Sequence, residues 1–402
     1  MACALLLVFG GGGWMTAHPQ VQKDVSVPFC APPHCGWVPA NVPIGIVETQ
    51  PSLNGIAYVS PSSLAVVGFG GTILRSGDAG RNWTVVSSPL PSVTMTSLIV
   101  LTGGLLLAGG NNADMIASQN GGVSWYPYYP GGGLAGNVTE MGFTSLSFVY
   151  ASTTDGLYVS HNAAETWSAM NTPEKGGVYA AGFSSPSVGW INMGTQAGVY
   201  YTQDGGAHWT RLTMGLDPLY ATDIVPTGPY SAWVLQYQGY IFLVTGGTNS
   251  TEMDLSTQQR THQVFADPPY AWVVSDDANT FYTQDNGGCW VEESVPSIPE
   301  LYTVAFDTPL DGVVAGDGVI WYTTDAGVGS NDTNPCSVTG GGTPVIWYVG
   351  GGLAIAAVAA ATVVYWRRYG GEKEAPETKP PEEAVRRMNR KLRLRNRKRY
   401  IG

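Results

Sequence analysis

The side chains best placed to do chemistry are carboxylates and amides that follow short apolar runs: Asn111, Asn112, Asp114, Asp155, Gln196, Gln238, Asp276, Asp277 and Asp317. Glycoside hydrolysis asks for two carboxylates facing each other across a gap, one as acid and one as base or nucleophile. Asp114, Asp155, Asp277 and Asp317 offer the material for such a pair. The stretch YPYYPGGG adds Tyr126, Tyr128 and Tyr129, which sit beside Gly and Pro and suit contacts with protein or sugar. Clamping an anionic sugar would need clustered arginines. Only Arg75, Arg81, Arg211 and Arg260 precede residue 345, and the first two flank a repeated turn, so that chemistry is excluded. The five histidines are scattered, none at ligand spacing to a cysteine, so no metal or cofactor is expected and no catalytic residue is assigned.

The elements that must position these groups are announced by a repeat. RSGDAGRNW, ASQNGGVSW, VSHNAAETW, YTQDGGAHW, YTQDNGGCW and YTTDAGVGS are six copies of one phrase. Their hydroxyl residues fall at Ser76, Ser118, Ser160, Thr202, Thr283 and Thr323, in steps of 42, 42, 42, 81 and 40 residues. A stride near 42 matches one four-stranded propeller blade, and 81 is close to two strides with one copy missing. The Asp or Asn of each copy (Asp78, Asn120, Asn162, Asp204, Asp285 and Asp325) is a turn former, and Gly supplies positive φ where the turn needs it. Trp83, Trp125, Trp167, Trp209 and Trp290 open the strand that follows and offer a flat surface to a neighbouring blade. These residues are read as structural.

The phrase S/T-x-D-x-G-x-x-W resembles the Asp-box, or BNR repeat, and from about Trp37 to Cys336 the chain is similar to Asp-box β-propellers. Sialidases, xyloglucanase-type hydrolases, sortilin-type receptors and photosystem II stability/assembly factors share the box, so it implies a fold before a function. Seven apolar second strands (SLAVVGFGG, GLLLAGGNN, SFVYASTTDG, VGWINMGTQAG, SAWVLQYQG, YAWVVSDDAN and DGVVAGDG) predict seven blades, each preceded by a candidate first strand. The fifth blade, with YIFLVTGGTNST, keeps strand and turn but has lost the box Trp. The last box lacks a fourth strand, whereas Cys35–Pro43 reads like Cys289–Pro296. The expected fold is therefore an all-β seven-bladed propeller whose N-terminal strand completes the last blade and removes an open edge. The blade count and glycine-bounded strands look most like the photosystem II assembly-factor group, which implies a scaffold for a membrane-protein partner. The chain departs from that group in carrying its own C-terminal apolar span and in lacking a basic patch on the propeller.

Charge divides the chain. Residues 1–366 hold 25 acidic against six basic residues, while residues 367–402 hold 13 basic against five acidic. Between them lies VIWYVGGGLAIAAVAAATVVYW, Val345–Trp366, with no charge in 22 residues. It predicts one transmembrane helix with aromatic residues at both ends, and Arg367 and Arg368 place the C-terminus in the cytoplasm. Residues 1–17 read as a signal-like leader, 18–336 as an extracytoplasmic propeller, 337–344 as a linker, 345–366 as the span through membrane lipid and 367–402 as a basic tail. Arg386–Arg399 suits anionic lipid headgroups better than nucleic acid. Asn82, Asn137, Asn249 and Asn331 stand in glycosylation sequons. Cys30, Cys35, Cys289 and Cys336 allow two disulfides in three pairings, with Cys289–Cys336 and Cys30–Cys35 preferred. The seven residues Ser337–Thr343 reach at most about 25 Å. That short reach turns the box side toward the membrane and the channel mouth, where a protein partner is expected, away from it. The reading is a non-enzymatic binding or assembly module at the plasma membrane, with a surface glycan-binding or glycan-cleaving protein as the alternative.

Overall fold

The computed structural model describes residues 36–327, apart from 102, 195–197, 214–220, 238, 256–258, 277 and 296–299. Within them the chain forms seven antiparallel four-stranded sheets, six of them built from consecutive strands. The innermost strands are Leu53–Ser60, Met95–Leu101, Val138–Ser145, Ala180–Phe183, Ala221–Gly228, Thr261–Asp267 and Leu301–Phe306. Each packs on the innermost strand of the next blade, and the last packs on the first, so the ring is closed. The expected seven-bladed propeller is what forms.

Closure uses the segment expected for it. Val38–Pro39 pairs antiparallel with Ile320–Thr323, placing Val38 opposite Tyr322 and Pro39 opposite Trp321. Trp37, 8% exposed, donates its indole N–H to Thr280 Oγ1 at 3.0 Å and meets Phe306 edge-on. The N-terminal segment thereby touches blade six as well as completing blade seven. A six-residue helix, Ile44–Thr49, then carries the chain across to blade one.

Among the described residues there is no single central core. The buried side chains divide into seven clusters, each at the seam between two neighbouring blades. A second strand such as Leu105–Gly110 is buried along its whole length because a blade lies against both of its faces. That is why these strands read as unbroken apolar runs rather than alternating ones. All five box tryptophans serve the seams: Trp83, Trp125 and Trp167 are buried there, Trp209 packs against the seam of blades three and four, and Trp290 packs edge-on against Trp233 of blade five. Trp209 is only half-buried and donates to Asn171 O at 2.9 Å.

The repeated phrase folds as one turn. In blade one Ser76 Oγ accepts the Gly80 N–H at 3.0 Å and donates to Asp78 Oδ1 at 2.9 Å. Asp78 Oδ1 also accepts the Asn82 N–H at 2.9 Å. The same hydroxyl-to-glycine bond recurs at Gly122, Gly206, Gly287 and Gly327, and at Ala164 in blade three. One acceptor oxygen suffices, so Asn120 and Asn162 replace Asp without changing the turn. The turn also donates one N–H to the first hairpin of its own blade, as Ala79 does to Ser62 O at 2.9 Å and Asn286 to Pro269 O at 2.9 Å. Blade five dispenses with it: a tight turn at Gly246–Gly247 lets Asn249–Asp254 pair along its full length with Tyr240–Thr245.

Several expectations fall on residues outside those described: the leader, the span Val345–Trp366, the tail, Asn331, Cys30, Cys35 and Cys336. Among the described residues no helix is long and apolar enough to cross a membrane. Asn82 lies within them, and its amide is committed, accepting from Asn41 Nδ2 at 3.0 Å and donating to Asp78 Oδ2 at 2.6 Å.

Candidate binding site at the channel mouth

The channel opens on the side where second strands turn into third strands and where one blade links to the next. Its lining comes from a recurrent defect. In six blades the pairing of first with second strand skips a residue near its start: between Leu53 and Gly55, Met95 and Ser97, Val138 and Glu140, Ala221 and Asp223, Thr261 and Gln263, and Leu301 and Thr303. A bulge of this kind breaks the in-out alternation and re-aims a side chain. Asn54, Thr96, Thr139, Thr222, His262 and Tyr302 are the extra residues, and all of them line a cavity of about 180 Å³ at the mouth. Gly55, Ser97, Glu140, Asp223 and Gln263, the next residues, line it too. Blade four has the shortest first strand, carries no bulge and contributes Tyr179.

This ring is stitched from blade to blade. Asn54 donates to Met95 O at 2.9 Å, Thr96 to Val138 O at 2.6 Å and Thr139 to Val178 O at 2.8 Å. In the other direction Ser97 Oγ accepts the Met141 N–H at 3.0 Å and Glu140 Oε2 the Ala181 N–H at 2.9 Å. Asp223 Oδ2 accepts the Val264 N–H at 2.9 Å, and Gln263 Oε1 the Val304 N–H at 2.8 Å. Every one of these bonds ties an innermost strand to the following blade. They hold polar side chains at fixed positions around the opening.

Two features give the mouth its electrostatics. Glu140 of blade three and Asp223 of blade five interact across the short blade four, where Ala180 and Ala181 leave room. Burial pushes the Glu140 carboxyl well above the ordinary carboxylate range, and the neighbouring Asp223 adds to the shift. Asp223 itself is pushed up to about 7 by burial, against the pull of its backbone donors. Two carboxyl groups buried against each other resist ionising together, and the pair favours keeping a proton. Across the opening, His262 Nε2 meets Asp276 Oδ1 at 2.5 Å and packs edge-on against Tyr302, ring centres 4.9 Å apart. Burial lowers the His262 pKa despite Asp276, so the imidazole is neutral at physiological pH. Tyr302 donates its hydroxyl to Glu300, and Ser52 Oγ donates to Asp317 Oδ1 at 3.1 Å.

The loop residues singled out from the sequence are dispersed. Asp317 and Asp276 belong to the mouth, whereas Asp114, Asn112 and Asp155 shape loops at blades two and three. Asn112 has φ 56° and its N–H reaches Asn137 Oδ1 at 2.9 Å, while the Asp114 N–H closes the same turn onto Asn111 O. Asp155 donates its N–H to Thr153 Oγ1 at 3.1 Å. Gln196, Gln238 and Asp277 fall outside the described residues. Tyr128 does not face outward: it is 3% exposed in the seam between blades two and three, its hydroxyl bonded to Ala164 O at 2.8 Å. Tyr129 is exposed, but on the outer rim following the fourth strand of blade two. Among the described residues no cluster with metal-ligand character occurs.

The ring of bulge residues was missed because strict alternation hides it. Its signal is two successive polar or small residues at the head of each first strand: Asn54-Gly55, Thr96-Ser97, Thr139-Glu140, Thr222-Asp223, His262-Gln263 and Tyr302-Thr303.

No protein-family model and no curated protein matches the chain. Its fold is similar to that of solved propellers. A structure of YCF48 bound to a D1 peptide superposes with TM-score 0.59 at 16% identity, covering 73% of this chain and 96% of that one. Virginiamycin B lyase from Staphylococcus aureus gives TM-score 0.61 at 13% identity, covering 71% and 98%. The WD40 propeller domain of Doa1 gives 0.58 at 16%, covering 73% and 98%. At such identities the likeness is one of fold.

Proposed function

We propose that the chain is a membrane-anchored extracytoplasmic propeller that holds a protein partner at its channel mouth, as a scaffold or assembly module rather than an enzyme. The observation that carries this reading is the stitched ring. Six blades each spend a bulge on aiming a polar side chain into the opening, and its carboxylates are held by neighbouring donors, as a rigid recognition surface requires. A YCF48 propeller of similar fold has been solved with a peptide bound, which supports the same use here. In this proposal the Asp-box resemblance accounts for the turns, Val345–Trp366 spans the membrane, and Arg386–Arg399 lies on anionic lipid. Cys289, in the blade-six turn, pairs with Cys336 so that the exit of the chain is fixed on the box side.

Photo-crosslinkers placed at Tyr302 and at Tyr179, with a control at Val123 in the blade-two box turn, test the reading in native membranes. The expected result is a discrete protein adduct from the two mouth positions and none from the control. Adducts from Val123 alone, or reproducible sugar release by the purified full chain, would replace it with another function.

A further inference from the structure

The carboxylates of the mouth are not scattered around it. Ser52 bridges to Asp317, and Asp276 bridges to Glu300, as isolated antiparallel pairs. The Asp317 N–H reaches Glu300 O at 3.3 Å. Asp276, Glu300 and Asp317 therefore lie along one arc over blades six and seven, ending at the first residues of blade one. Their partners are a histidine, a tyrosine and a serine, each satisfying one side of a carboxylate that accepts several hydrogen bonds. No lysine or arginine among the described residues forms an ion pair with any of the three. Arg260, whose carbonyl accepts the Asp276 N–H at 2.9 Å, turns its guanidinium over the Tyr237 ring at 5.6 Å.

An apolar patch adjoins the blade-one end of this arc. The helix Ile44–Thr49 buries none of its residues fully and leaves Ile44 71% and Val47 38% exposed. Phe69, 60% exposed, sits on the loop whose N–H holds Ser52 O at 2.8 Å. The Gly318 N–H holds Pro51 O at 3.0 Å from the blade-seven side. Helix, loop and acidic arc thus converge on Pro51–Ser52.

From this juxtaposition we infer that the mouth takes a cationic segment of its protein partner, lysine or arginine flanked by apolar side chains. The cation sits on the arc of Asp276, Glu300 and Asp317, and the apolar neighbours cover Ile44, Val47 and Phe69. Charge complementarity selects this occupant: before residue 367 the chain carries 25 acidic and six basic residues, so an acidic partner would be repelled from the whole propeller. The inference rests on the proposed use of the mouth as a protein-binding surface and names what that surface selects.

The test uses the full chain in a zwitterionic detergent and three labelled ten-residue probes: alternating Lys and Leu, the same peptide with Glu for Lys, and with Ser for Lys. Fluorescence anisotropy should show at least tenfold tighter binding of the lysine probe, weakening as salt rises from 50 to 500 mM. E300Q/D317N should abolish that preference. I44S/F69S, which alters two largely exposed side chains, should weaken the lysine probe at least fivefold with an unchanged melting temperature. Equal binding of the three probes, or a lysine preference unchanged in both variants, overturns the inference. If mouth crosslinks to a native partner survive E300Q/D317N unchanged, the cationic selection fails while the binding surface stands. If crosslinks appear only on the box side, both fail.

Discussion

At the scale of single residues, the Glu140–Asp223 pair stands out as two carboxyl groups buried against each other. Two carboxyl groups buried side by side cannot both ionise, so the folded chain keeps a proton that the unfolded chain releases near pH 4. Because the folded pKa values are raised, the pair's contribution to stability is whole below about pH 4. It declines as pH rises toward the value of about 7 reached by Asp223. His262, whose pKa is lowered, works in the opposite direction, gaining stability as pH rises through its ordinary range. The two are separated by E140Q, which keeps an acceptor for the Ala181 N–H and removes the titration. The variant should melt above the wild type at pH 8 and level with it at pH 5 in a calorimetric scan. An unchanged difference between the two pH values would show that no proton is shared.

At the scale of elements, the strands and turns were legible and the bulges were not. Apolar runs located the second strands because both faces are covered, and the box phrase located the third-to-fourth turn because its hydroxyl and Asx oxygens leave few other conformations. The pairing of Val38 with Tyr322 was legible from the likeness between Cys35–Pro43 and Cys289–Pro296. Bulges escape because a single inserted residue looks like ordinary loss of pattern, and so the mouth was sought in the loops instead of the strand heads. Tyr128 was misplaced for a related reason: its Gly and Pro neighbours suggested a loop, yet Tyr126–Tyr128 is the fourth strand of blade two. The closing strand carries a mechanical test. Trp37→Ala removes a buried indole, its bond to Thr280 and its contact with Phe306. A loss of about 3–5 kcal/mol is expected, seen as a lower denaturant midpoint. Trp209→Ala, at a half-buried site, should cost well under half of that. Equal losses would mean that the closing segment does not hold the ring.

At the scale of the whole molecule, the charge partition is the dominant fact. Residues 1–366 sum to −19 and residues 367–402 to +8, a separation that suits two compartments divided by Val345–Trp366. The full chain should remain in the membrane pellet after alkaline extraction, and a chain ending at residue 340 should be released with its propeller intact. Release of the full chain under the same treatment would remove the anchor from the proposal.

The sharing of blade seven between Val38–Pro39 and Leu301–Thr323 also sets a timetable. The earliest-synthesised strand must wait, unpaired, until the last three emerge, because the edge of Ile320–Thr323 that it occupies does not exist before then. Contacts separated by nearly the entire domain form slowly, since loop closure precedes the reward. Six blades can therefore accumulate as an open arc with two exposed borders, and the interval before the final strand docks is when the newborn protein is most prone to stick to its copies.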